Sequence, residues 1–204
     1  LRPLLVGSVA EGWTFARFVE SDANALACAL AWAVATGELQ PQGTSPLVLV
    51  GPDGVGKSHL LAALVHEARS RHGEGDALCL NAVDLEVEVE RAERLGARAE
   101  LRRWLRRHRV VAIDDVQRVA GKPGLRDELA SLIAAAERGE LWLLIAADRP
   151  AIAEDEELSA VLTGALVAPM ALGDGACRRA IVELLAEDDP LESEVVDYLA
   201  SVVD

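Results

Sequence analysis

Aromatic side chains are scarce in this chain: two Phe, one Tyr and four Trp make up 3% of its 204 residues. So few flat rings exclude a nucleic-acid sheet that reads bases by stacking them on exposed Phe and Tyr. Lysine is scarcer still, with Lys57 and Lys122 the only two beside 18 arginines. With 34 acids against 20 bases, the formal charge of -14 argues against wrapping a phosphate backbone, although it leaves room for a local basic patch. Three cysteines, Cys28, Cys79 and Cys177, lie too far apart for metal-ligand spacing and read as small buried hydrophobes in a reducing compartment. His59, His66, His72 and His108 are equally scattered, and no carboxylate completes a zinc pattern around them. No apolar run reaches about 18 residues and no signal peptide is recognisable at the start, so the expected setting is cytoplasmic without a membrane. The first residue is Leu1, which leaves open a processed chain or an excised fragment.

Apolar residues make up 51% of the chain, enough for a sizeable core and for one domain, or one and a small appendage. Most of the acidity lies at one end: residues 154–204 hold 13 acids and only two bases, Arg178 and Arg179. Short all-apolar strands are expected at Leu47 to Val50, Ala77 to Leu80, Val110 to Ile113, Leu141 to Ala146 and Leu166 to Met170. Helices are expected from Asn24 to Thr36 and from Lys57 to about Ser70. Such strands separated by helices predict a parallel sheet covered on both faces. Between the second and third strands, Asp84 to Arg107 reads as one long helical region, with acids from Glu86 to Glu93 early and arginines from Arg98 to Arg107 late, as the helix dipole favours. Two further helices, Gly175 to Ala186 and Leu191 to Val203, follow the last strand.

The sharpest signal is Gly51-Pro52-Asp53-Gly54-Val55-Gly56-Lys57-Ser58, which satisfies the whole GxxxxGK[ST] pattern between an apolar strand and a helix opened by Ser58-His59-Leu60-Leu61. Glycines let the backbone curl so that its N–H groups surround a phosphate; Lys57 would reach the β/γ oxygens and Ser58 would supply a hydroxyl to Mg2+. In a sequence that otherwise prefers arginine, lysine at this position points to a need for a compact charge. The matching half is Val110-Val111-Ala112-Ile113-Asp114-Asp115, where Asp114 would hold Mg2+ through water and Asp115 would polarise an attacking water. The fourth strand ends in Ala146-Ala147-Asp148-Arg149-Pro150, which places Asp148 beside the same crevice, either sensing a γ-phosphate or capping a helix.

Taken in order, these residues resemble the ATPase domain of the bacterial chromosomal replication initiator family, DnaA, a branch of the AAA+ ATPases that includes shortened regulatory relatives. The resemblance is carried by Trp13-Thr14-Phe15-Ala16-Arg17-Phe18-Val19 with Asn24, by Gly51 to Leu60, by Ile113-Asp114-Asp115-Val116-Gln117 with Ala120-Gly121-Lys122, and by Ala147-Asp148-Arg149-Pro150. It implies a five-stranded parallel AAA+ sheet over residues 1–173, followed by the start of a helical lid over 174–204. ATP or ADP with Mg2+ would bind at Gly51 through His59, with adenine between the Phe15/Phe18 segment and the lid, and Asp148 would look like the first sensor. Asp84 to Arg107 corresponds to the family's segment that contributes to single-stranded DNA binding in its filament.

Two departures bear on activity. No arginine occurs from Ala151 to Cys177, and Val161 stands where the resemblance places an arginine finger. The lid's second-sensor arginine, and the family's DNA-reading domain, would lie beyond Asp204. Three functions therefore stay open: an ATP-dependent switch with slow hydrolysis, an ATP-binding regulatory or structural module, and a P-loop kinase for a small metabolite. A protein partner or self-association is expected, and weak or no DNA binding by this chain alone.

Overall fold

The computed structural model describes residues 12–41, 46–148 and 156–202. Arg149 and Pro150 of the expected sensor stretch lie outside them. Five parallel strands form one sheet: β1 (Leu47–Val50), β2 (Ala77–Asn81), β3 (Val110–Asp114), β4 (Trp142–Ala147) and β5 (Leu166–Pro169), in the order β2-β3-β4-β1-β5. The sheet is the expected one, and its cause is visible in the burial. Every residue of β1 and β4 is covered, because helices lie on both faces and neither face can be polar.

Alternate residues feed two cores. Leu47 and Leu49 pack with α1 (Ala25–Thr36) and α2 (Lys57–His72), through Ala31, Leu60 and Leu64. Val48 and Val50 face the opposite side, where Leu85 of α3 (Ala82–Arg94), Leu101 of α4 (Arg98–Leu105) and Leu129 of α5 (Pro123–Glu137) cover the sheet. Leu49, Leu60, Leu64, Leu101 and Leu129 are fully buried, and each such burial stabilises the fold by about 1.5–3 kcal/mol. Beyond α5 come α6 (Glu156–Val161), β5, α7 (Gly175–Leu185) and α8 (Ser193–Val202).

The region expected as one helix from Asp84 to Arg107 is two. Asn81 caps α3 by accepting the Val83 N–H at 2.9 Å, which starts the helix at Ala82. Gly96 takes φ 63° and the Ala97 N–H returns to the Ala92 carbonyl at 2.7 Å, closing α3 before α4 begins. The dipole account of a single capped helix therefore fails; the acids and arginines belong to two elements. The α5 helix has Pro123 in its first turn and the spacing Leu125, Leu129, Leu132, Ile133 on its buried face, yet the sequence reading assigned no element there. Among the described residues no helix is long and apolar enough to cross a membrane.

Candidate functional site

Sheet order is what assembles the site. Because β3, β4 and β1 are neighbours, their C-terminal tips place Asp114-Asp115, Asp148 and the Gly51–Ser58 loop along one edge. The loop leaves β1 between its two neighbours: the Gly51 N–H reaches the Ala147 carbonyl at 3.4 Å, and a Cβ on residue 51 would lie 2.3 Å from the Met170 carbonyl oxygen. Only glycine fits. Gly54 and Gly56 take φ 82° and 92°, the left-handed turns that aim the loop's backbone into α2.

Lys57 is buried, and its Nζ donates to the carbonyls of Gly51 and Pro52, both at 2.7 Å. Asp53 lies 3.7 Å away but is fully in solvent, so that ion pair contributes little. Those two carbonyls hold the ammonium within the loop that a phosphate would occupy. The Ser58 side chain, at the start of α2, lies beside the Asp114 carboxyl at the tip of β3. Burial pushes the Asp114 carboxyl above its usual range; the nearby Ser58 hydroxyl opposes this, and the charge of Asp115 adds to it. A hydroxyl and a carboxylate side by side fit Mg2+, which takes one or two protein oxygens and completes its shell with water and phosphate. Among the described residues no group of three or more His, Cys, Asp and Glu forms a closed metal cage.

Asp115 is the one non-glycine residue with positive φ, 55°, among the described residues. Its carboxylate accepts from Asn81 Nδ2 at 3.3 Å and Gln117 Nε2 at 3.1 Å, and Arg118 stands 3.6 Å from it. These contacts hold a backbone conformation that costs on the order of 1–3 kcal/mol. Asp148 follows β4 directly and is half-buried. The side chain of Val161 lies outside the described residues.

A cleft of about 650 Å3 opens between the first segment, the loop and α7. Phe18 borders it, with its ring edge-on to His59 at 5.2 Å and pressed over Gly56, where a Cβ would come within 3.0 Å of it. Phe15 points elsewhere: it meets Trp32 edge-on at 5.2 Å and is absent from the cleft wall, so the two phenylalanines expected together are separated. His59 accepts a place between aromatic rings, stacked on Trp13 at 5.5 Å, and its Nε2 lies 3.2 Å from the Thr14 carbonyl. Burial lowers its pKa, the Thr14 carbonyl opposes, and Arg17 lowers it further. Sequence reasoning missed Trp13, Arg17 and Arg178 as cleft residues and Asn81 as a partner of Asp115. Asn81 had a legible signal, a polar residue directly after an apolar strand.

Comparison with known proteins gives this geometry a family. The profile described as "Bacterial DnaA ATPAse domain" matches residues 9–167. The chain belongs to the bacterial DnaA ATPase-domain family. It is 31% identical over 193 residues to the chromosomal replication initiator protein DnaA of Herpetosiphon aurantiacus, covering 92% of this chain and 40% of that protein. The chain thus spans about 40% of the length of the curated relatives it matches. Its fold matches domain III of DnaA from Thermotoga maritima with a TM-score of 0.83 at 24% identity, over 95% of this chain and 82% of that one. The AMPPCP-bound DnaA from Aquifex aeolicus matches with a TM-score of 0.83 at 23% identity, over 96% and 62%. This is a DnaA-like AAA+ nucleotide-binding domain.

In this DnaA-family domain two arginines of α4, Arg98 and Arg102, both donate to Glu128 of α5. Arg103, Arg106 and Arg107 are exposed, with Arg106 donating to the Ser131 hydroxyl at 2.8 Å. Burial pushes the Cys28 thiol up to about 12 and the Cys79 thiol up to about 11, which disfavours their thiolates at neutral pH.

Proposed function

We propose that the domain binds ATP or ADP with Mg2+ and works as a nucleotide-dependent switch whose intrinsic hydrolysis is slow. The observation that supports it most is the Lys57–Ser58–Asp114 grouping: a buried ammonium turned into a glycine-rich loop, with a hydroxyl and a carboxylate near each other at its edge. Lys57 would draw the β/γ phosphates, Ser58 and Asp114 would hold Mg2+, and Asp115 would orient water. When bound, the ion would neutralise charge developing on the phosphates. Residues 174–204 are read as the start of a lid, closing over a cleft whose far wall is Phe18.

Slow turnover is argued from Ala151 to Cys177, which contain no arginine. A fixed cation supplied in trans to a transferring phosphoryl group is worth roughly 10³ to 10⁵ in rate where GTPases have been measured. With none on this segment, self-stimulated hydrolysis in a homo-oligomer is expected to be weak, and the readable output becomes a partner surface. Calorimetry with ATP and ADP tests the site: Lys57→Ala should abolish binding, and equal affinity for variant and wild type refutes the assignment. Turnover followed over a wide range of protein concentration tests the rest. A steep rise in specific activity would mean that another residue completes the site in trans.

A further inference from the structure

The cleft beside the loop has an unusual charge for this chain. Among the described residues, none that borders it is Asp or Glu, although the chain carries 34 acids, while three that border it are Arg17, His59 and Arg178. Two of those three are already committed. Arg178 donates from Nε to the Ala200 carbonyl and from NH1 to the Gly173 carbonyl, both at 2.9 Å, so it fastens α7 to α8 and to the connection from β5. His59 is engaged with the Thr14 carbonyl and packed between two rings, and its burial favours the neutral form.

Arg17 is different. Its guanidinium makes no hydrogen bond or ion pair with any described residue and is exposed, while its backbone N–H donates to the Thr14 carbonyl at 3.1 Å. Its backbone is nevertheless held by its neighbours. It ends a single 3-10 turn, Phe15–Arg17, closed by the Phe18 N–H on the Phe15 carbonyl, and the next ring, Phe18, is pressed over Gly56 of the phosphate loop. A guanidinium carried on backbone held one residue from that contact, without a carboxylate partner and on an acid-free cleft, can reach for an anion that arrives with the ligand.

We propose that Arg17 is a second cationic contact, besides Lys57, for the phosphates of the bound nucleotide, so that the opening segment senses nucleotide charge. The proposal rests on the nucleotide reading above and deepens it. Arg17 is a binding residue that adds affinity for phosphate.

Titration of the purified domain with fluorescent ATP and ADP analogues tests this, with Arg17→Gln and Arg17→Lys set beside wild type and Lys57→Ala. Arg17→Gln keeps most of the stem and removes the charge; it should weaken both nucleotides roughly tenfold, while Arg17→Lys stays within about threefold of wild type. The gap between wild type and Arg17→Gln should narrow as salt is raised, since an exposed charge is screened. An unchanged affinity in Arg17→Gln overturns the proposal, as does a loss that Arg17→Lys shares and salt does not alter. Wild-type binding that is lost in Lys57→Ala but untouched in Arg17→Gln removes only the role of Arg17. A wild type that binds neither nucleotide refutes the nucleotide reading and this proposal with it.

Discussion

Replacing Glu128 by Leu is the sharpest test of how α4 is held. Glu128 is fully buried, and its carboxylate accepts from Arg98 at 3.2 Å and from Arg102 at 3.1 and 3.3 Å. Removing one partner of a buried pair costs about 3–5 kcal/mol when the remaining charge is trapped. Here neither arginine is fully trapped. Arg98 keeps Glu93 and the Gly124 carbonyl at 3.0 Å, and Arg102, 39% exposed, can turn to water. The loss should therefore be about 2–3 kcal/mol, or about 5–10 °C in melting temperature for a domain of this size. Urea unfolding followed by circular dichroism measures it, with the slope checked for constancy. Adding Arg102→Leu to Glu128→Leu should recover part of the loss, because an apolar pair of similar volume often matches a buried ion pair. A change below about 0.5 kcal/mol in the single variant, at constant slope, would refute the view that this cluster fastens α4 to α5.

The same cluster bears on nucleic acid: with Arg98 and Arg102 engaged by Glu128, this chain alone should bind single-stranded DNA more weakly than about micromolar at physiological salt, even with ATP. Anisotropy titrated across salt checks it, and tighter binding lost in a combined Arg102→Ala, Arg103→Ala, Arg106→Ala variant would refute it. Gly51→Ala should destabilise the domain by about 1–3 kcal/mol and weaken ATP binding, since the added Cβ meets the Met170 carbonyl at 2.3 Å; a melt and a titration read both effects. His59 and His108 both have pKa values lowered by burial from 6.5. The unfolded chain then binds more protons than the native one below about pH 6.5, so stability should fall as pH drops through that range. A His59→Gln, His108→Gln variant should show a flatter profile in urea melts, and an unchanged slope would refute the account.

The parts legible in the sequence share one property: their local pattern and their tertiary role coincide. Leu47 to Val50 and Val110 to Ile113 are uninterrupted apolar runs because both faces of those strands are covered, so the run reports burial directly. The phosphate loop is legible because its glycines are demanded by backbone geometry at the same positions that bear the chemistry. Where the two diverge, sequence reading goes astray. Leu95-Gly96-Ala97 continues the apolar spacing of α3 into α4, and only the positive φ of Gly96 reveals a corner. Periodicity cannot register a turn that preserves it.

The separation of Phe15 from Phe18 has the same origin. Three residues apart, they suggest one face, and within a 3-10 helix they would eclipse. But the turn ends at Arg17, and Phe18 is extended, with φ -105° and ψ 123°, which sends its ring to Gly56 and leaves Phe15 against Trp32. That redirection also leaves Arg17 at the rim between them, unpaired, where neither composition nor motif would single it out. The strand tips show the converse case: Asp114, Asp148 and Lys57 stand far apart in the chain, yet the order β3-β4-β1 makes them neighbours. The motif carries the candidate donor groups, and the crossover topology brings them to one edge of the sheet.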